Sequence, residues 1–161
     1  MRRLLACAAA LLLLPACSPG PHMVVVFAAS SLNGSFTQLG AEFEASHPGV
    51  RVMFSFDGSA TLVDQLAQGA PADVFAAADR DTMERASSAG TMTPMPARFA
   101  SNELTLIVPV GNPSGITGLD ASLEGTKLVV CADGVPCGSA TAKLANHLGV
   151  TVQADIIKQK L

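Results

Sequence analysis

The chain has 161 residues and a formal net charge of −3, with 49% apolar residues, 4% aromatic residues and neither Trp nor Tyr. Such a length supports one domain core, or one domain plus part of another. The slight negative charge, the lack of a Lys/Arg cluster and the scarcity of stacking rings exclude the electrostatic footprint of a nucleic-acid binder.

Met1-Arg2-Arg3 is followed by an apolar run from Leu4 to Leu14 and then by Pro15-Ala16-Cys17. A positive start, a short apolar run and a small residue before the break read as a secretory signal over residues 1–17. The run is too short to span a bilayer, which takes about 20 apolar residues. Leu14-Pro15-Ala16-Cys17 resembles the bacterial lipobox, which makes Cys17 the expected lipid-attachment residue and places the protein on the outer face of the cell membrane. Pro15 is a less usual occupant of its position, so ordinary cleavage nearby is the alternative. Residues 18–23 read as a tether, because Pro19, Gly20 and Pro21 support neither helix nor strand. With Cys7 in the leader and Cys17 lipidated, Cys131 and Cys137 remain. Outside the cytoplasm such a pair is expected to form a disulfide, the alternative being two free thiols.

Strand-like and helix-like runs then alternate, the pattern of an α/β fold with a largely parallel sheet. Val24 to Phe27 suits a buried strand, and Val50, Val52, Phe54 and Phe56 alternate with Arg51, Met53 and Ser55. Val74-Phe75-Ala76, Leu104 to Val108 and Leu128-Val129-Val130 are further candidates, and Val150-Thr151-Val152 is a possible start of another. Helical periods place Leu32, Phe36, Leu39 and Phe43 on one face, then Leu62, Val63, Leu66 and Ala67, then Leu144, Ala145 and Leu148. Each stripe reads as core packing. A short helix is expected from Asp81 to Ala89, opened by Asp81 with Glu84 three residues on. Gly69, Gly90 and Gly149 stand where these helices should stop. The turn-rich stretch from Pro109 to Gly115 suits either a crossing between two lobes or a surface loop.

Three junctions share one design, in which a strand end runs through small hydroxyl or Gly residues into an amphipathic helix. They are Ala28-Ala29-Ser30-Ser31, Asp57-Gly58-Ser59-Ala60-Thr61 and Gly134-Val135-Pro136-Cys137-Gly138-Ser139. Helix N-termini offer unpaired N–H groups and a partial positive dipole to an oxyanion without a formal charge. In one parallel sheet all three would lie at the carboxyl edge, where open α/β folds bind ligands. The competing reading is that Ser and Thr simply cap these helices. Phosphate-binding, dinucleotide and zinc motifs are missing from the sequence. Asp73, Asp79, Asp81 and Glu84 form an acidic run that reads as a solvated turn and helix start, and His47 and His147 read as exposed. A Cys137 nucleophile served by His147 is the rival enzyme hypothesis, one that oxidation of the thiol would silence.

At the same junctions the sequence resembles the periplasmic molybdate-binding proteins of ABC import systems. The segments are Val26-Phe27-Ala28-Ala29-Ser30-Ser31-Leu32, Ser55 to Leu62, Gly69-Ala70-Pro71-Ala72-Asp73-Val74-Phe75 with Ala78-Asp79, and Val135-Pro136-Cys137-Gly138. The resemblance implies a periplasmic-binding-protein-like two-lobed clamp with residues 24–108 as first lobe and 109–161 as part of a second, incomplete one. It implies binding without catalysis or cofactor, of molybdate or tungstate, for delivery to a permease and its ATPase. Ser31 and Ser59 would contact the oxyanion through hydroxyl and backbone N–H groups, and Cys137 through its backbone N–H. Sulfate, phosphate or an organic acid are the alternatives within the class, and a remnant unable to bind lies outside it. Two departures stand out: Asp57 lies two residues before Ser59, and the family runs on beyond Leu161 with further ligand-contributing turns, one commonly bearing a Tyr. Residues 153–161 match nothing in it.

Overall fold

The computed structural model describes residues 20–92 and 95–158. The leader and Cys17 lie outside the described residues. The first half runs β1 (His22–Ala29), a 3₁₀ turn (Ser30–Leu32), α1 (Asn33–Ser46), β2 (Val50–Asp57), α2 (Ser59–Ala67), β3 (Val74–Ala76) and α3 (Arg80–Ser88). The second half runs through a 3₁₀ turn (Ala121–Leu123), β4 (Val129–Cys131), α4 (Pro136–Leu148) and β5 (Ile156–Lys158). All strand pairs are parallel, in a three-stranded sheet of order β2-β1-β3 and a separate two-stranded sheet β4-β5.

β1 is central and apolar on both sides, as a strand buried on two faces must be. Phe27 packs with Leu62 and Val63 of α2, Phe75 of β3 and Ala86 of α3, while Val26 and Ala28 face Leu32, Phe36 and the β2 residues Val52, Phe54 and Phe56. So α1 covers one face, and α2 with α3 the other. α1 lies so close to β2 that a side chain on Gly40 would meet the Phe54 ring at 2.6 Å. The outer edge of β2 is closed by Glu44, which accepts from the Val52 N–H at 2.7 Å and from Arg51 Nη1 at 2.6 Å. These hydrogen bonds, that from the Val52 backbone first, hold the Glu44 carboxyl below the ordinary glutamate range.

Asp73 performs the corresponding task between β1 and β3. Its N–H donates to the Val25 carbonyl and its Oδ2 accepts from the Val25 N–H, each at 2.8 Å. Asp155 repeats the bracket around Leu128 in the second sheet, with its N–H donating to the Leu128 carbonyl at 2.9 Å and Oδ2 accepting from the Leu128 N–H at 2.8 Å.

Several expectations are corrected. β1 begins at His22 and pairs His22 with Val50, so the tether assigned to 18–23 overlaps the strand. Leu104 to Val108 is irregular and exposed, with Ile107 at 87%. Alternation of apolar residues is not enough when no described strand offers that segment a ladder. The strand expected to start at Val150 lies at Ile156–Lys158, inside the stretch 153–161 that sequence reasoning matches to nothing. The helix expected from Asp81 starts at Arg80, because Asp79 is the N-cap and accepts from the Thr82 N–H at 2.8 Å. Each apolar stripe is core only in part: Leu62 and Val63 of α2, Ala145 of α4, and Leu32 and Phe36 at the start of the first stripe pack inward, whereas Leu39 and Phe43 of α1, Ala67 of α2 and Leu144 and Leu148 of α4 are exposed. The two-stranded sheet offers α4 little surface to cover, and α1 packs through Phe36 and Gly40, which leaves Leu39 and Phe43 outside. Gly69 and Gly149 follow their helices with φ of 88° and 67°, the left-handed geometry that lets a helix end without a Cβ clash.

Replacing Asp73 with Ala removes the acceptor for the Val25 N–H at an exposed bracket, and should cost about 1 kcal/mol, read as a lowered urea midpoint with unchanged slope. A depressed carboxyl stabilises the folded state above its unfolded value and loses that contribution as pH falls through the folded one. Glu44→Gln should therefore be less stable than the parent at neutral pH, and the difference should vanish on acidification below the ordinary glutamate range, followed by urea midpoints at stepped pH.

Candidate functional site

Register brings the first two junctions together. Ala29 lies opposite Asp57, and Ala28 opposite Ala76, so β1, β2 and β3 end almost level at one edge. From that edge the chain leaves β1 toward α1 on one face and β3 toward α3 on the other. Such a divergence between neighbouring strands is where open α/β folds place a ligand crevice, at the carboxyl ends of the strands. Ser31 stands exposed in the 3₁₀ turn leaving β1, and Ser59 opens α2 at the end of β2.

The third junction is placed differently from the expectation of a single sheet. Cys137 follows β4, in the second sheet, and opens α4 behind Val135 and Pro136. Pro at the first helical position is pre-organised for the helix and lacks an N–H that would have no partner there. The first turn of α4 is pressed onto the end of β4: a side chain on Gly138 would meet the Ala132 carbonyl oxygen at 1.9 Å. A disulfide ties the same two places, Cys131 at the end of β4 and Cys137 in the first turn of α4, with Cα atoms 5.7 Å apart. With its sulfur in that bond, Cys137 has no thiolate to offer as a nucleophile, and His147 lies in the last turn of α4.

The capping reading can be tested helix by helix. The 3₁₀ turn before α1, α1 itself, α2 and α4 all begin without a side-chain cap, on Ala29, Leu32, Gly58 and Val135. By contrast α3 is capped by Asp79, and the 3₁₀ turn at Ala121–Leu123 by Asp120. Ser31 and Ser59 therefore occupy helix starts without closing them. Ser59 is buried, at 1% exposure, and its Oγ accepts from the Ala78 N–H at 3.0 Å. A hydroxyl used that way still has one proton to give. Asp57, the carboxylate nearest the junction, turns back to accept from the Gly58 N–H at 2.6 Å. The arrangement supplies neutral donors at a sheet edge, suited to a small oxyanion.

The acidic run serves structure. Asp73 brackets Val25, Asp79 caps α3, Glu84 lies 3.9 Å from Arg80, and Asp81 meets Lys143 of α4 at 2.7 Å. Among the described residues no group of three or more His, Cys, Asp or Glu could hold a metal ion. Asp155 and Lys143 were missed by sequence reasoning. The first had a signal, since Ala154-Asp155-Ile156 repeats the Ala72-Asp73-Val74 pattern before a strand; the second, a single Lys on a helix, had none.

Disulfide closure of a loop with sequence separation 6 leads to a prediction. The chain from residue 18 on, unfolded without reductant, should take up no iodoacetamide, and after reduction should take up two equivalents by mass. Reduction should also lower stability by about 2 kcal/mol on the chain-entropy relation.

A family model for bacterial extracellular solute-binding proteins matches residues 24–161. The molybdate-binding protein ModA of Mycobacterium bovis is 44% identical over 142 residues, which cover 84% of this chain and 54% of that protein. The molybdate-binding protein ModA of Haemophilus influenzae is 36% identical over 87 residues, 53% of this chain and 34% of that protein. Among solved structures, the periplasmic molybdate-binding protein of Azotobacter vinelandii shares the fold with a TM-score of 0.54 at 23% identity, covering 79% of this chain and 56% of that one. The chain thus spans about half the length of the Mycobacterium relative. With parallel α/β halves, uncapped helix starts at the strand ends and a family match that runs from β1 to its last residue, the chain belongs to the bacterial extracellular solute-binding proteins.

Proposed function

We propose that this chain is the solute-capturing component of an ABC import system and that its solute is a tetrahedral oxyanion, molybdate or tungstate. The observation that carries the reading is the contrast among helix starts: those at the three junctions lack side-chain caps, while α3, outside them, has one. Uncapped N–H groups and the spare Ser59 proton favour an anion over a cation or a neutral sugar. Similarity to proteins named as molybdate-binding narrows the anion to that class. In this reading Ser31 and Ser59 donate from one lobe, residues 24–108, and the Cys137 N–H donates from part of a second, residues 109–161. Solute-binding family membership speaks for binding rather than catalysis. Neutral donors also suit a carrier, since an anion held without a paired positive charge can be released to a permease. Cys17 would carry the lipid that keeps the protein beside that permease, with the ATPase on the far side of the membrane.

Calorimetric titration of the chain from residue 18 on, in phosphate-free buffer, tests the reading. Molybdate and tungstate should bind with similar affinity and sulfate far more weakly, because neutral donors leave selection to cavity size. Removal of one hydrogen-bond donor costs about 1.4 kcal/mol, so Ser59→Ala should weaken molybdate roughly tenfold. Equal response to sulfate would replace molybdate with a general oxyanion reading, and silence toward all three in a cooperatively melting protein would end it.

A further inference from the structure

Lys143 sits midway along α4, on the second sheet's helix, and Asp81 in the first turn of α3, on the first sheet's. Their side chains meet at 2.7 Å across 62 residues of sequence, in a single charge-assisted hydrogen bond with both partners more than half exposed. The α3 end of the contact is a built acceptor. Asp79 is occupied as the N-cap and Glu84 faces Arg80, which leaves Asp81 as the carboxylate that reaches out, stabilised where it stands by the positive end of the α3 dipole. Hydrogen bonding and charge from Asp81, with smaller attraction from Asp79 and Glu84, raise the Lys143 pKa above the ordinary lysine value.

Position gives the contact its meaning. α3 starts at the carboxyl edge of the first sheet, beside the Ala78 N–H that Ser59 accepts. Lys143 lies six residues past Cys137, about 9 Å along a helix at 1.5 Å per residue. An ion pair at that point links α4, six residues past the third junction, to the first turn of α3, the helix that starts at the edge carrying Ser59. We propose that Lys143 and Asp81 form a latch between the two halves of the molecule, which biases them toward the approach that closes the three junctions on one another.

A structural role within either half would not move the distance between them, so that distance is the readout. Nitroxide labels on cysteines placed at the exposed positions Ala41 of α1 and Asn146 of α4 report it by pulsed dipolar spectroscopy, on the chain from residue 18 on with its disulfide intact. At low salt the parent should give a distribution dominated by one short distance. Lys143→Met and Asp81→Asn should each raise the ratio of long to short distances about two- to five-fold, the range open to an exposed pair. Lys143→Arg should leave it unchanged, and about 1 M salt should bring the parent toward Lys143→Met. All these side chains are exposed, so the variants should melt with the parent. Distributions that coincide among parent, Lys143→Met and Asp81→Asn at low salt would overturn the latch. The distances are read without any anion, so the latch stands or falls apart from the molybdate reading. Where the parent binds molybdate, the two weakened variants should also release it faster by the same two- to five-fold.

Discussion

The level ending of three parallel strands is the constraint on which the rest of the molecule depends. β1 can be central only because its residues are apolar in both directions, Val26 and Ala28 toward α1 and Phe27 toward α2 and α3. β1 lies between β2 and β3, and the helices that follow β1 and β3 leave on opposite faces of the sheet. That split fixes where an open α/β fold can place a ligand crevice, at the carboxyl edge. Ser31 and the Ala78 N–H border it, and Ser59 reaches across from the end of β2 to the latter.

Electrostatically the edge is arranged by subtraction. Carboxylates near it are occupied: Asp57 on the Gly58 N–H, Asp79 on the Thr82 N–H, Asp81 on Lys143. What remains at the edge without a side-chain cap is the backbone N–H of the helix starts after β1 and β2, with the Ser31 and Ser59 hydroxyl groups beside it. In the proposed reading such a surface would attract an anion through oriented dipoles at short range and discriminate by geometry more than by charge. The second half contributes through stiffness. Gly138 admits no side chain against Ala132, and the disulfide joins the strand end to the helix start, so the third junction moves as one piece with β4.

Much of this was legible in the residues. The strands around Val24–Phe27, Val50–Phe56 and Val74–Ala76, the helices after them, the Cys131–Cys137 pairing and the three junctions all have local causes: alternation, apolar periods, turn residues, a pair of cysteines outside the cytoplasm. What failed has a shared cause in tertiary context. Leu104 to Val108 has the composition of a strand and no described neighbour to pair with, and of the stripe Leu32, Phe36, Leu39 and Phe43 only the first two reach the core, because Gly40 decides which face lies against β2. The three junctions share a design in sequence, but assignment to one sheet or two depends on pairings that sequence spacing does not encode. Asp79 displaced Asp81 as the cap by two positions, a choice between neighbouring carboxylates that only the start of the helix makes.

The twin aspartate brackets have a consequence of their own. Alternating apolar residues forbid a strand from slipping by one position, because every side chain would change faces, but they tolerate a slip by two. β1 is apolar on both faces, so even the first prohibition is weak there, and β4 and β5 are only three residues long. Asp73 around Val25 and Asp155 around Leu128 each recognise one backbone residue by its N–H and carbonyl together, at the amino edge, away from the crevice. They act as indexing pins: a two-residue shift would leave a carboxylate facing the wrong peptide and, at the far end of the strand, would move a junction by nearly 7 Å at about 3.3 Å per residue. Alignment of the carboxyl edge is thus decided at the opposite end of each sheet, by residues that take no part in that edge.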